Sequence, residues 1–152
     1  MPAEVQFRLN GRPVSVQADP EQTLLDVLRN TLGLKATRLG CGLGQCGACT
    51  VILGDQAVNS CDTPMWSVAG KEVTTLEGLG TREAPHPLQV AFIEEQAMQC
   101  GYCSSGLLMS AAALLKRTPH PSPAQIRQAL DGNLCRCGVH NRVLRAVQKA
   151  AS

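Results

Sequence analysis

Eight cysteines divide into two sets of four, and no other feature of the chain limits its possible folds as tightly. Cys41, Cys46, Cys49 and Cys61 have the spacing C-x4-C-x2-C-x11-C. Cys100 and Cys103 form a C-x2-C pair, separated by 31 residues from the C-x-C pair Cys135 and Cys137. A fold that uses them must gather four sulfurs in each of two places. At 152 residues the chain makes one or two small domains. Such domains bury little apolar surface, and a metal site in each half supplies folding free energy that the core lacks.

Composition narrows the setting of those thiols. Apolar residues make up 44% and charged residues 17%, which places the chain among globular proteins. The formal net charge is +2 and there is no Lys/Arg run, which argues against nucleic-acid or anionic-membrane partners. Arg136, His140, Arg142 and Arg145 read as a solvated helix face. The opening MPAEVQFRLNGRPV has no basic start followed by an apolar stretch, so no signal peptide is expected. No apolar run reaches membrane-spanning length; the longest, Gly106 to Leu115, is interrupted by Ser110 and reads as a core helix. The expectation is a reducing, cytoplasmic setting, or periplasmic only if the chain is exported with a partner. There, cysteine sets mean metal or redox chemistry more often than disulfides.

The first half reads as strands. Val5, Phe7 and Leu9 alternate with polar residues, Asn10-Gly11 is a hairpin turn, and Val14, Val16 and Ala18 resume the alternation. Thr23 can cap a short helix over Leu24–Arg29. A glycine-rich segment, Leu39–Thr50, carries three cysteines, and strands follow at Val51–Leu53, Ala57–Asn59 and Glu72–Leu76, with a short helix at Pro64–Val68. Hairpin, helix and further strands predict a β-grasp arrangement. Glu77–Pro87 reads as a linker. Beyond it the pattern is helical: from Pro87 through Ala97, over Ser104–Lys116, from a Ser122 capping box to Leu130, and over Val139–Ala150. The second of these is apolar nearly all round and should be buried. The expected fold is α+β, with a β-grasp domain over residues 1–78 and a four-helix bundle domain over 79–152.

C-x4-C-x2-C…C is the plant-type spacing for a [2Fe–2S] cluster. Three sulfurs come from one loop that curls round the cluster, and the fourth, Cys61, returns after a strand. Gly40, Gly42, Gly44 and Gly47 let the backbone approach the sulfurs closely. A structural zinc site pairs two short knuckles instead, and a thiol-redox C-x-x-C needs a βαβ context absent here. The second set alone is compatible with zinc or with an unusual [2Fe–2S] site. Its two pairs both fall between predicted helices, so a bundle can bring them to one end. A Rieske centre needs two His ligands; His86, His120 and His140 lie outside any such pairing and read as surface residues.

The stretches GCGLGQCGACTV (Gly40–Val51), QCGYCSSG (Gln99–Gly106) and NLCRCG (Asn133–Gly138) resemble the signatures of the small iron–sulfur subunit of the molybdenum hydroxylases, the xanthine oxidase family. The resemblance runs in order along nearly the whole chain and is most similar to bacterial two-subunit enzymes of the isoquinoline 1-oxidoreductase type. It implies a plant-ferredoxin-like first domain and a four-helix second domain, with all eight cysteines binding two [2Fe–2S] clusters. It also implies a separate large subunit that holds a molybdopterin cofactor in its cytosine dinucleotide form, touched by Gln99 and Cys137. A helix-capping role for Gln99 is the alternative. The implied function is electron transfer from molybdenum through the Cys100/Cys103/Cys135/Cys137 cluster, then the Cys41/Cys46/Cys49/Cys61 cluster, to an acceptor such as a cytochrome c or a flavin subunit. The substrate, oxidised on the large subunit, would be an N-heteroaromatic compound or an aldehyde. This chain alone would have no catalytic residues and no hydroxylase activity. A free-standing two-cluster carrier and a zinc-binding interaction module are the competing readings.

Overall fold

The computed structural model describes residues 1–152. Strands β1 (Ala3–Leu9) and β2 (Arg12–Ala18) form the expected hairpin, closed by Asn10 and Gly11, both at positive φ (51° and 81°), as a tight primed turn requires. With β3 (Thr50–Leu53), β4 (Gln56–Asn59) and β5 (Glu72–Thr74) they make one sheet in the order β2-β1-β5-β3-β4. β1 and β5 run parallel, with Arg8 opposite Glu72 and Leu9 opposite Val73; every other pair is antiparallel.

Helix α1 (Leu24–Asp26) starts where Thr23 Oγ1 accepts the Asp26 N–H at 3.2 Å. The sequence predicts a regular helix to Arg29. Instead the chain widens into a π-helical turn over Val27–Thr31, closed by Leu32 N–H to Val27 C=O at 2.9 Å. The wider turn lets Leu24, Val27 and Leu28 all be fully buried under the sheet.

Two apolar cores result. The first gathers Phe7, Leu24, Val51, Met65 and Val73 with their neighbours between residues 5 and 73. The second gathers Leu88, Phe92, Leu107, Met109, Ile126 and Val143 with their neighbours between residues 88 and 147, and it also contains Ile52. β3 is therefore buried on both faces: Val51 packs into one core and Ile52 into the other. Its uninterrupted Val-Ile-Leu run has the composition that double burial demands.

Four helices follow β5: α2 (Pro87–Glu94), α3 (Ser104–Arg117), α4 (Pro123–Leu130) and α5 (His140–Ala151). α3 lies against β3 and is buried continuously from Ser104 to Leu114, as its apolar sequence predicts. α2 packs on α5, and α4 on both α3 and α5. The Ser122 capping box at α4 forms as read.

Two expectations change here. α2 stops at Glu94 rather than Ala97, because Gln96 adopts φ 51° and Ala97 N–H bonds back to Phe92 C=O at 2.8 Å, a Schellman-type ending. His86 is not a bystander at the surface: its Nδ1 accepts the Leu88 N–H at 3.1 Å while Gln89 Oε1 accepts the His86 N–H at 2.9 Å. No helix is long and apolar enough to cross a membrane.

Candidate metal centres

The first set sits on the loop that leads into β3 and on the turn after β4. Gly44 and Gly47, at φ 68° and 76°, curl that loop so that its N–H groups point inward. The N–H groups of Leu43, Gln45 and Cys46 each donate to Cys41 Sγ at 3.3 Å. Gly44 N–H donates to Cys61 Sγ at 3.3 Å, Cys61 N–H to Cys49 Sγ at 3.4 Å, and Ala48 N–H to Cys46 Sγ at 3.5 Å. Three converging donors hold the Cys41 thiol down at about 6, whereas burial pushes Cys61 up to about 11 against the single Gly44 donor. A cage of N–H groups around sulfur suits anionic thiolates. Gly40 leaves the room this needs, since a Cβ there would stand 2.5 Å from Cys46 Sγ.

The second set forms where two interhelical turns meet. Cys100 and Cys103 lie between α2 and α3, Cys103 at the cap position of α3; Cys135 and Cys137 lie between α4 and α5. The Cys100 thiol meets that of Cys137, and the Cys103 thiol meets that of Cys135. Burial drives Cys103 up to about 12, while the Tyr102 N–H, 3.5 Å from Cys100 Sγ, lowers Cys100. Gln99 Nε2 donates to Cys137 C=O at 3.3 Å, so the side chain reaches across the turn rather than capping its own helix.

All eight cysteines are free thiols. The only buried hydroxyls without a hydrogen-bond partner are those of Thr37, Ser104 and Ser105. The two serines follow Cys103 directly in sequence, and Thr37 precedes Cys41 by four residues. The unpaired hydroxyls of Ser104 and Ser105, next to Cys103 in sequence, leave buried donors free for an acceptor group at the second set.

The two sets face one another across a cavity of about 250 Å³ lined by Cys46, Cys100, Cys103 and Cys135, with Tyr102, Leu134 and Ala48 among its walls. Three contacts join the two halves of the chain near it. Leu134 N–H donates to Cys46 C=O at 2.9 Å. The Tyr102 hydroxyl donates to Leu39 C=O, under an Arg38 guanidinium 5.0 Å from the ring centroid. The buried Asn133 side chain donates to Gly47 C=O at 3.1 Å. His140, read from the sequence as a surface residue, is half-buried with Nε2 3.0 Å from the Asn133 carbonyl. The sequence pattern gives Asn133 no role; a polar residue that follows a helix end and a glycine, Gly132, carries no periodic signal. Tyr102 stands out in the sequence only as one of four aromatic residues.

Comparison with known proteins follows the same division. Residues 7–76 match the 2Fe-2S iron-sulfur cluster binding domain, and residues 75–148 match the [2Fe-2S] binding domain. The chain is 55% identical to one of the subunits of nicotinate dehydrogenase from Pseudomonas putida, covering 99% of this chain and 96% of that one. It is 55% identical to the alpha subunit of isoquinoline 1-oxidoreductase from Brevundimonas diminuta, covering 97% of each. The crystal structure of quinoline 2-oxidoreductase from Pseudomonas putida 86 superposes with a TM-score of 0.93 at 34% identity, over 99% of this chain and 93% of that one. Two thiol-rich sites on a mixed α+β scaffold, matched over almost their full length, place the chain in the iron–sulfur subunits of the molybdenum hydroxylases, the xanthine oxidase family, as an electron-transfer subunit carrying two [2Fe–2S] clusters.

Proposed function

We propose that Cys41, Cys46, Cys49 and Cys61 hold one cluster and Cys100, Cys103, Cys135 and Cys137 the other, and that electrons enter at the second set and leave from the first. The observation that carries this reading is the meeting of both sets on one cavity, bridged by the bond from Leu134 N–H to Cys46 C=O. A cluster, when bound, takes up and gives back one electron at a time. The chain's own contribution is the N–H cage that stabilises thiolate charge and the contacts that hold the two sets against one another.

The chain works against a large partner protein that holds the molybdopterin cofactor, in its cytosine dinucleotide form. Gln99 and Cys137 lie together on the exposed rim of the second set, the side from which a partner's cofactor has access. Cys137 then serves as iron ligand and cofactor contact at once, with Gln99 holding its carbonyl. The names of the relatives support an N-heteroaromatic compound or an aldehyde as substrate of the assembled enzyme. The acceptor beyond the first set is a cytochrome c or a flavin subunit, and the working compartment is the cytoplasm. The chain comprises a ferredoxin-like β-grasp domain, 1–78, and a four-helix bundle domain, 79–152.

The deciding experiment is EPR of the dithionite-reduced protein, with iron and zinc measured on the same sample. Two distinct rhombic signals and about four irons per chain are expected. One zinc ion per set with no signal would overturn the reading. Gln99→Ala should leave both signals intact and slow reduction of the second cluster by the partner; unchanged reduction would leave Gln99 a purely structural role.

A further inference from the structure

Asn133 is a buried side chain that hydrogen-bonds between the two halves of the chain. It is 5% exposed. Its Nδ2 donates to Gly47 C=O at 3.1 Å and faces Thr50 Oγ1 at 3.4 Å, and its Oδ1 accepts the Ser110 hydroxyl at 2.8 Å. The main chain of Asn133 is held as well: its N–H donates to Leu130 C=O at 3.0 Å, and its carbonyl meets His140 Nε2 at 3.0 Å. One side chain thus ties the first cysteine loop, β3 and α3 together, while its backbone ties in α4 and α5.

The neighbouring glycines leave the space this arrangement needs. A Cβ on Gly47 would stand 2.5 Å from Asn133 Nδ2 and 2.5 Å from Gly132 C=O. A Cβ on Gly106 would stand 2.1 Å from Gly47 C=O. Each of these positions is within three residues of a cysteine: Gly47 follows Cys46, Gly106 is three beyond Cys103, and Asn133 is two before Cys135. A shift here is passed to the sulfurs on both sides with little chain in between to absorb it. The other bridging side chain, Tyr102, lies at the exposed edge, where water competes for the Leu39 carbonyl. The amide of Asn133 is out of reach of such competition.

We propose that Asn133 is the positioning residue that sets the separation of the two cysteine sets, and so governs the electron step between the clusters they hold. The proposal rests on the assignment of one [2Fe–2S] cluster to each set. Asn133 touches neither cluster in this scheme; it acts through Gly47 and Ser110 on the loops that carry the ligands. Its shape is specific to the task. The group facing Gly47 must donate and the group facing Ser110 must accept, which a carboxylate, a carbonyl alone or an apolar side chain cannot do together.

The test uses the full chain carrying its clusters, reduced completely with dithionite, with EPR recorded at low temperature. Two reduced clusters are two electron spins, and their dipolar coupling falls with the cube of their separation. The unsubstituted chain should show two signals with a resolved splitting. In Asn133→Ala the iron content and both sets of g-values should persist while the resolved splitting is lost, and the two clusters should exchange electrons more slowly after substoichiometric reduction. An unchanged splitting in Asn133→Ala overturns the proposal. If Asn133→Ala does not retain both clusters, Ser110→Ala carries the test, since it removes the bond that orients the Asn133 amide toward Gly47. A narrowed splitting supports the proposal and an unaltered one overturns it. Fewer than two signals in the unsubstituted chain would instead sink the cluster assignment, and this inference with it.

Discussion

Leu134 and Cys46 are joined through main chain alone, N–H to C=O at 2.9 Å, although they lie 88 residues apart in sequence, 134 minus 46. Leu134 immediately precedes Cys135, so the bond connects a residue of the first set to the neighbour of a residue of the second. The Leu134 side chain, 63% exposed, takes no part in it. Leu134→Ala should therefore change stability by less than about 0.5 kcal/mol. Leu134→Pro removes the donor and should cost about 0.5–1.5 kcal/mol for the lost bond, together with slower equilibration between the clusters. Thermal unfolding and freeze-quench EPR on the pair of variants separate the two effects. Equal behaviour of the two variants would show that the bond matters to neither.

Cys103→Ser should remove the second cluster and spare the first. Iron should fall from about four to about two per chain, with one rhombic signal retained. Cys49→Ser should do the converse. Iron analysis and EPR on both variants check the assignment, and loss of the same signal from both would refute it.

Gly106→Ala introduces a methyl group where the Gly47 carbonyl oxygen would lie 2.1 Å away. Neither backbone can give way cheaply, because α3 is buried on both sides of that residue. The expected cost is about 1–3 kcal/mol, the usual range for overpacking, read as a Tm lower by about 2–4 °C for each kcal/mol. A Tm equal to that of the unsubstituted chain would show that the two glycines are looser than described.

His86 should make helix α2 sensitive to acid. Burial lowers its pKa below the ordinary 6.5, and its Nδ1 must stay unprotonated to accept the Leu88 N–H. The unfolded chain therefore binds a proton more readily than the folded one. The stability that the cap contributes is fully present above pH about 6.5 and is lost as the pH falls through the lower folded value. His86→Asn keeps a capping acceptor that does not titrate. Tm measured from pH 8 to pH 5 should fall less steeply in the variant, and parallel curves would exclude His86 as the titrating cap.

Much of this molecule is written in local signals. The cysteine spacings, the Val5/Phe7/Leu9 alternation, the Asn10-Gly11 turn and the Ser122 capping box each depend on residues a few positions apart, and the hairpin and the cap form as their spacing predicts. The features that escape such reading depend on distant partners. Ile52 looks like any strand residue until α3 is laid against it. Gln96 ends α2 early through a positive φ that glutamine seldom adopts, so no glycine marks the stop. His86 and His140 have no metal-ligand spacing, and only the fold shows that one caps a helix and the other meets the Asn133 carbonyl. Asn133 itself acquires meaning when Gly47, Thr50 and Ser110 surround it, from as far as 86 residues away.

The parallel pairing of β1 with β5 has a consequence for the chain as it is made. Arg8 finds Glu72 only after a further 64 residues, Glu72 included, have been synthesised. At about 5–20 residues per second on the ribosome, the first hairpin waits several seconds with one strand edge open. That edge carries Val5, Phe7 and Leu9 on its buried face, a pattern apt to pair with a neighbouring nascent chain. The charged and polar side chains between them, Glu4, Gln6 and Arg8, face outward on the same strand and guard it during that interval.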